Sequence, residues 1–258
     1  MGLEDLTEYE IISGILGLIA FSISLAVGII IVLKYFQYKR HELLTVGLQM
    51  IFVSSGWWAS LISFVLFILF DFYFPTTLFL ILTYGIQPIT HLFWIYSFAY
   101  LVYPKSKWKF FLVFFLVAVL YEIHFWYFMI VDPTGIAIRE SQFIYTDISP
   151  IIQLYVLFIL VVGLITVYNF SRQLMRSDEP KTRWRGKFLM YSMILLATNA
   201  IVVIFITVTQ EPLDPTQFTP EQIAISIVLN IIIYVSTILS YFGWIMPEWL
   251  ENRLVKKS

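Results

Sequence analysis

The chain has 258 residues, of which 60% are hydrophobic and 13% charged, with a mean hydropathy of +0.84 and a net charge of -1. Such a composition falls outside the range of water-soluble domains, and no basic excess points to nucleic acid; lipid is the expected solvent. No cysteine occurs, which removes disulfides, thiolate metal ligands and cysteine nucleophiles.

Runs of the roughly 20 apolar residues that cross a bilayer recur along the chain. They cover 10–35, 43–70, 76–103, 110–131, 150–170, 188–209 and 222–245. They are long and apolar on all sides, which suits helices and not the short alternating strands of a barrel. The links on one side are 37–42, 104–109 and 172–187, followed by the tail; those on the other are 71–75, 132–149 and 210–221. Fifteen of the sixteen basic residues fall on the first side, and only Arg139 lies opposite. Lys and Arg in short loops stay in the cytoplasm, so the N-terminus is expected outside and the C-terminus inside. The acidic start, with Glu4, Asp5, Glu8 and Glu10, does not read as a signal peptide. The expected fold is therefore an all-α integral membrane protein of a cell membrane. It comprises a seven-transmembrane-helix bundle over 1–246 and a short amphipathic juxtamembrane tail over 247–258.

In the first span Gly17, Ala20, Ser24 and Gly28 form a small-residue ridge suited to close helix packing. The second span carries Thr45, Gln49, Ser60 and Ser63 on one stripe, with Gly56 permitting close approach. On the third, Tyr84, Gln87, His91 and Trp94 share a helical face, and Pro88 loosens the backbone beside them. The fourth holds Glu122 and His124, about 200° apart around the helix axis. At 1.5 Å per residue, His91 and Glu122 both fall near the midplane. Ionisable groups at that depth are costly and mark functional candidates. Because a short link joins spans three and four as an antiparallel pair, a His91–Glu122 interaction is the sharpest site expectation. The sixth span adds Ser192 and Asn199; the seventh adds Ser226, Asn230, Tyr234, Thr237 and Tyr241 along nearly its whole length. These residues fit either a polar interior or hydrogen-bonded joints between helices.

Three prolines stiffen the 210–221 link, and Pro247 should end the seventh span and let Trp249, Leu250 and Leu254 lie along the interface. The basic residues Arg172, Arg176, Lys181, Arg183, Arg185 and Lys187 form a surface for anionic lipid or a cytoplasmic partner, and also suffice to orient their spans.

Several chemistries are disfavoured. The seventh span contains no lysine, which excludes covalent retinal, and no other cofactor is expected. His91, His124 and Glu122 are too few and too ill-spaced for a zinc hydrolase, and no Gly-x-Ser-x-Gly motif occurs. Neither a catalytic residue nor a metal site is therefore expected. Seven spans with an outward N-terminus are shared by G-protein-coupled receptors, microbial rhodopsins and some prokaryotic sensor modules. Here the third span ends Ala99-Tyr-Leu-Val-Tyr-Pro104 without an acidic–arginine pair, and the seventh lacks Asn-Pro-x-x-Tyr. Seven-span sugar transporters carry Pro-Gln pairs, whereas Gln87-Pro88 has the reverse order. The expectation is a receptor-like or sensory protein that senses a small ligand or proton in its polar interior and signals to a separate cytoplasmic partner. The alternatives are a proton-coupled transporter or channel and a non-catalytic scaffold or assembly subunit; homo-oligomers are compatible with each.

Overall fold

The structure is a computed structural model that describes residues 6–139, 146–209 and 219–255. The chain runs α1 (Glu8–Tyr38), α2 (His41–Phe52), α3 (Ser55–Phe70) and α4 (Thr76–Leu80). A π-helical turn (Ile81–Gly85) carries α4 into α5 (Gln87–Val102). Then come α6 (Lys107–Val131), α7 (Pro150–Met175), α8 (Pro180–Thr209), α9 (Pro220–Ile245) and the short α10 (Glu248–Leu254). Five stretches are long and apolar enough to cross a membrane, and the bent pair α2–α3 makes a sixth. This is the build of an all-α, multi-pass membrane protein. Pro212 and Pro215 of the 210–221 link, Glu4 and Asp5, and Lys256 and Lys257 lie outside the described residues. The 132–149 link contains an antiparallel two-stranded ribbon, β1 (Ala137–Arg139) with β2 (Thr146–Ile148), in which Ile138 faces Asp147.

Two expected straight spans are interrupted. The second bends by 47° between α2 and α3. The sequence there is Ser54-Ser55-Gly56, and small and hydroxyl residues are a common cause of kinks. Ser54 donates its hydroxyl to the Ile51 carbonyl at 2.8 Å and accepts from the Trp58 indole at 2.9 Å. The third span carries the π-helical turn just ahead of Pro88. Pro247 ends the seventh as expected: α9 stops at Ile245, Met246 takes φ 26°, and α10 starts at Glu248.

Helix termini explain why elements begin where they do. Thr7 and Thr219 each form a capping box, with Glu10 and Gln222 three residues on, and so satisfy the first donors of α1 and α9. Prolines at 150, 180 and 220 occupy first-turn positions, where their missing N–H costs nothing.

In lipid, helices are held by close van der Waals fit and interhelical hydrogen bonds, because burying a leucine gains little over leaving it among lipid tails. The α1–α2 contact shows this fit. A Cβ added at Gly47 would come within 2.8 Å of the Gly28 carbonyl and of the Val32 amide nitrogen, and one at Gly28 would meet the Gly47 carbonyl at 2.8 Å. Neither backbone can yield. The small-residue ridge of the first span thus does what its sequence suggests at Gly28, with Ala20 and Ser24 also buried. Toward the basic end of the bundle, Val27, Ile31, Val46, Met50, Trp94, Phe98, Phe170 and Trp244 pack in one cluster. A second cluster toward the far end joins Leu80, Tyr84, Tyr121, Phe125, Ile152 and Tyr155.

Gly47→Ala is expected to cost about 1–3 kcal/mol through overpacking. Gly163→Ala, where an added Cβ meets nothing within 4 Å, should be neutral or slightly stabilising. Unfolding of the two variants in detergent checks the contrast, and equal stabilities would refute the tight α1–α2 contact.

Candidate ligand site

Pro88 has no N–H, so the carbonyl of Tyr84, four residues earlier, loses its helical donor. Water cannot repair this within a bilayer. A side chain does so instead: Tyr121 on α6 donates its hydroxyl to the Tyr84 carbonyl at 3.0 Å, and beside it the Gln87 side-chain amide donates to the Thr83 carbonyl at 3.2 Å. One turn on, His91 Nδ1 lies 2.9 Å from the Gln87 carbonyl, the geometry of an Nδ1–H donor. The Tyr121 ring stacks on Tyr155 of α7 with centroids 3.8 Å apart, and Tyr155 meets His91 edge-on at 6.4 Å. The face read from sequence as Tyr84, Gln87 and His91 is thus brought together, but around a repaired backbone break. Tyr121 and Tyr155 had no sequence signal beyond their place among other aromatics.

Although α5 and α6 pack together, the expected His91–Glu122 bond is not made. His91 is held by its own helix, while the half-buried Glu122 lies beside the Trp126 indole one turn along α6. The cause is helical phase: α6 turns Tyr121 and Phe125 into the bundle, which puts Glu122, about 100° further round, on the flank. His124 points elsewhere, its ring 4.9 Å from Phe128 and its Nε2 buried without a partner.

Other sequence candidates are joints between helices. The Trp94 indole donates to Thr166 at 2.7 Å, the Asn199 amide to the Leu229 carbonyl at 2.8 Å, and the Tyr234 hydroxyl to the Leu16 carbonyl at 2.6 Å. Ser192 and Ser236 pair at 3.0 Å. Asn230, with Ser226 one turn before it, instead reaches a sizeable cavity.

That cavity, of about 230 Å³, lies between α1, α3 and α9 in the far half of the bundle. Tyr9, Ser13, Trp57, Ser60, Ser226 and Asn230 supply its aromatic and polar walls, and among the described residues no charged one lines it. Ser13 Oγ is buried with no partner, and the Asn230 amide nitrogen is bound to the Ser226 carbonyl at 2.9 Å. Gly17 departs from its expected packing role: nothing lies within 4 Å of an added Cβ, so it opens space. On the inner side, a Cβ on Gly56 would stand 3.4 Å from Gln87 Nε2. Gln87 thus stands behind the Gly56 stretch of α3, and the cavity itself is lined by Gly56 and not by that amide. Gly17, Gly56, Ser60, Ser226 and Asn230 lay on small or polar stripes in the sequence, whereas Tyr9, Ser13 and Trp57 sat at a span edge or in apolar runs without periodicity.

The basic link divides. Arg172, Arg176 and Arg183 are exposed; Lys181 pairs with Glu251 of α10 at 2.5 Å, and Lys187 lies over the Trp184 ring at 4.1 Å. Arg185, expected at the surface, turns inward. Its Nε donates to the Gly243 carbonyl at 2.9 Å and its Nη2 to the Trp244 carbonyl at 2.7 Å, capping the carbonyls that α9 leaves open before Pro247. Among the described residues no three His, Asp or Glu side chains gather as a metal site. Comparison with family models, curated proteins and solved structures finds no match.

Tyr121→Phe is expected to cost about 1–2 kcal/mol, because it strips a donor from a buried carbonyl. In a Pro88→Ala background the restored N–H should remove most of that loss, a coupling that a double-mutant cycle of unfolding free energies measures. An equal loss in both backgrounds would show that the hydroxyl does not serve the proline gap.

Proposed function

We propose that the chain is a seven-helix, receptor-like sensory protein of a cell membrane, N-terminus outside and C-terminus in the cytoplasm. In this reading a small uncharged ligand enters the α1–α3–α9 cavity from outside, and its occupancy is passed to the basic face. The seven spans are α1, the bent α2–α3, α4 with its π-helical turn and α5, then α6, α7, α8 and α9; the concentration of basic residues on one side supports the orientation.

The observation that carries the reading is the cavity's inner wall. An uncharged aromatic and hydroxyl lining suits a neutral, hydrogen-bonding molecule, since a charged one would lose hydration without a counter-charge. A ligand that displaces the Gly56 stretch of α3 disturbs the Gln87 amide packed behind it and its hold on the Thr83 carbonyl. The π-helical turn then has two arrangements, and differential ligand affinity for them shifts their balance. Between this cavity and the basic end stand Val27, Ile31, Val46, Met50 and Trp94, a packed layer that favours sensing over an open pore.

Binding is tested in nanodiscs with a panel of small amides, polyols and nucleosides, read as thermal stabilisation. Gly17→Leu has room for its side chain and should fold with stability within about 1 kcal/mol of the parent while losing the ligand response. Unchanged stabilisation in that variant would remove the cavity from the mechanism, and ligand flux in proteoliposomes would replace sensing with transport. Because the chain has no cysteine, Glu8→Cys and Arg183→Cys give unique labels. An impermeant thiol reagent added to intact cells should reach the first alone.

A further inference from the structure

The basic end of the bundle holds a second, larger cavity of about 520 Å³, walled by α2, α5, α7, α8 and α9 and by the α7–α8 turn. Its volume lies within the roughly 300–1,000 Å³ of ligand-binding pockets. Four features describe its chemistry. Leu43, Leu101, Phe170, Leu174 and Trp244 make an apolar wall. Trp244 is only 5% exposed, and its indole N–H is buried without a partner, so an occupied donor position is missing an acceptor. The two carboxylates of the lining are engaged: Glu42 is paired with Arg40, and Glu179 accepts from the Thr182 hydroxyl. Arg40, the partner of Glu42, keeps a side chain 55% exposed, so its guanidinium has faces left for a second carboxylate. Around the mouth Lys39, Arg172, Arg176 and Arg183 are exposed, and none of them forms an ion pair among the described residues.

We propose that this cavity is the docking site for an acidic, amphipathic segment of a soluble protein, whose apolar side chains enter between Phe170 and Leu174 while its carboxylates meet Arg40 and the basic rim. The proposal rests on the reading of this face as the output side. Lipid headgroups approach the perimeter of the bundle, whereas the lining of this cavity is drawn from five helices, α2, α5, α7, α8 and α9, and from the α7–α8 turn, which favours entry from the aqueous face. A protruding protein segment has that access, and charge complementarity selects an acidic one. Arg–carboxylate pairing at a partly desolvated site supplies the orientation, and the unpartnered Trp244 N–H offers a fixed donor at depth. Helical segments that lay an apolar face into such grooves are a recurrent recognition mode.

The test uses the full chain in nanodiscs of zwitterionic lipid and two fluorescein-labelled amphipathic peptides, leucine on one face and glutamate on the other, or lysine in place of every glutamate. The glutamate peptide should bind by fluorescence polarisation, and Gln173→Trp and the pair Arg40→Ala/Glu42→Gln, which strands no buried carboxylate, should each weaken it about tenfold or more with unfolding midpoints unchanged. The same peptide should shield Leu174→Cys, but not Arg183→Cys, from a water-soluble thiol reagent. Equal binding of the lysine peptide, indifference to both variants, or no binding by either peptide overturns the proposal. Shielding of Leu174→Cys by anionic lipid in the disc, without peptide, assigns the cavity to a headgroup and also overturns it. Specific peptide binding with no stabilising ligand at the other end refutes the sensory reading alone; ligand stabilisation without specific peptide binding refutes docking alone.

Discussion

Within a bilayer no water is at hand to meet a stray backbone carbonyl, and this constraint organises the molecule. Every interruption in its long helices is matched by a side chain that restores the missing bond. At the α2–α3 bend the donor is Ser54; at Pro88 it is Tyr121 from the next helix; where α9 ends, it is Arg185 from α8. Two of these repairs cross between helices, so they set local backbone geometry and the position of a neighbouring helix together. The polar residues that remain act in the same way, joining α8 to α9 through Asn199 and Ser192, and α5 to α7 through Trp94.

This explains which parts of the structure could be read from the sequence. Hydropathy locates apolar runs because length and solvent transfer decide them one segment at a time. Pro88 and Pro247 announce breaks because a missing N–H is a local fact. The repair of a break is not local: nothing about Tyr121 in its run of phenylalanines says that its hydroxyl will meet Tyr84, thirty-seven positions earlier. Glu122 makes the complementary point. Depth and neighbouring spans put it beside His91, but rotation of α6 about its axis is set by how Tyr121 and Phe125 fit, and that rotation turns the carboxylate to the flank. Arg185 differs from its loop companions for a similar reason, since only the end of α9 beneath it gives it a partner.

The cavities follow from the same economy of contacts. Gly28 and Gly47 let two backbones touch, and two to three turns away on the same helix Gly17 leaves a gap because α3 has bent aside at Ser54. A residue type that means contact in one place thus means space in another, depending on the course of the facing helix. The far cavity and the basic one are separated by the Trp94–Trp244 layer, with rings 6.3 Å apart and edge to face. Trp94 stands two turns beyond Gln87, on the helix that begins at the π-helical turn, and Trp244 lines the basic cavity. The Trp94–Trp244 contact thus joins the helix that begins at the π-helical turn to the wall of the basic cavity.

The Tyr234–Leu16 bond joins residues 218 positions apart and closes α9 onto α1. Most other helix pairings in the bundle are between segments close in sequence and form as synthesis proceeds, but the far cavity has walls from the first helix and the last. It therefore comes into being only when the final span has been inserted, and a chain stalled or clipped before α9 presents an open seam at that place.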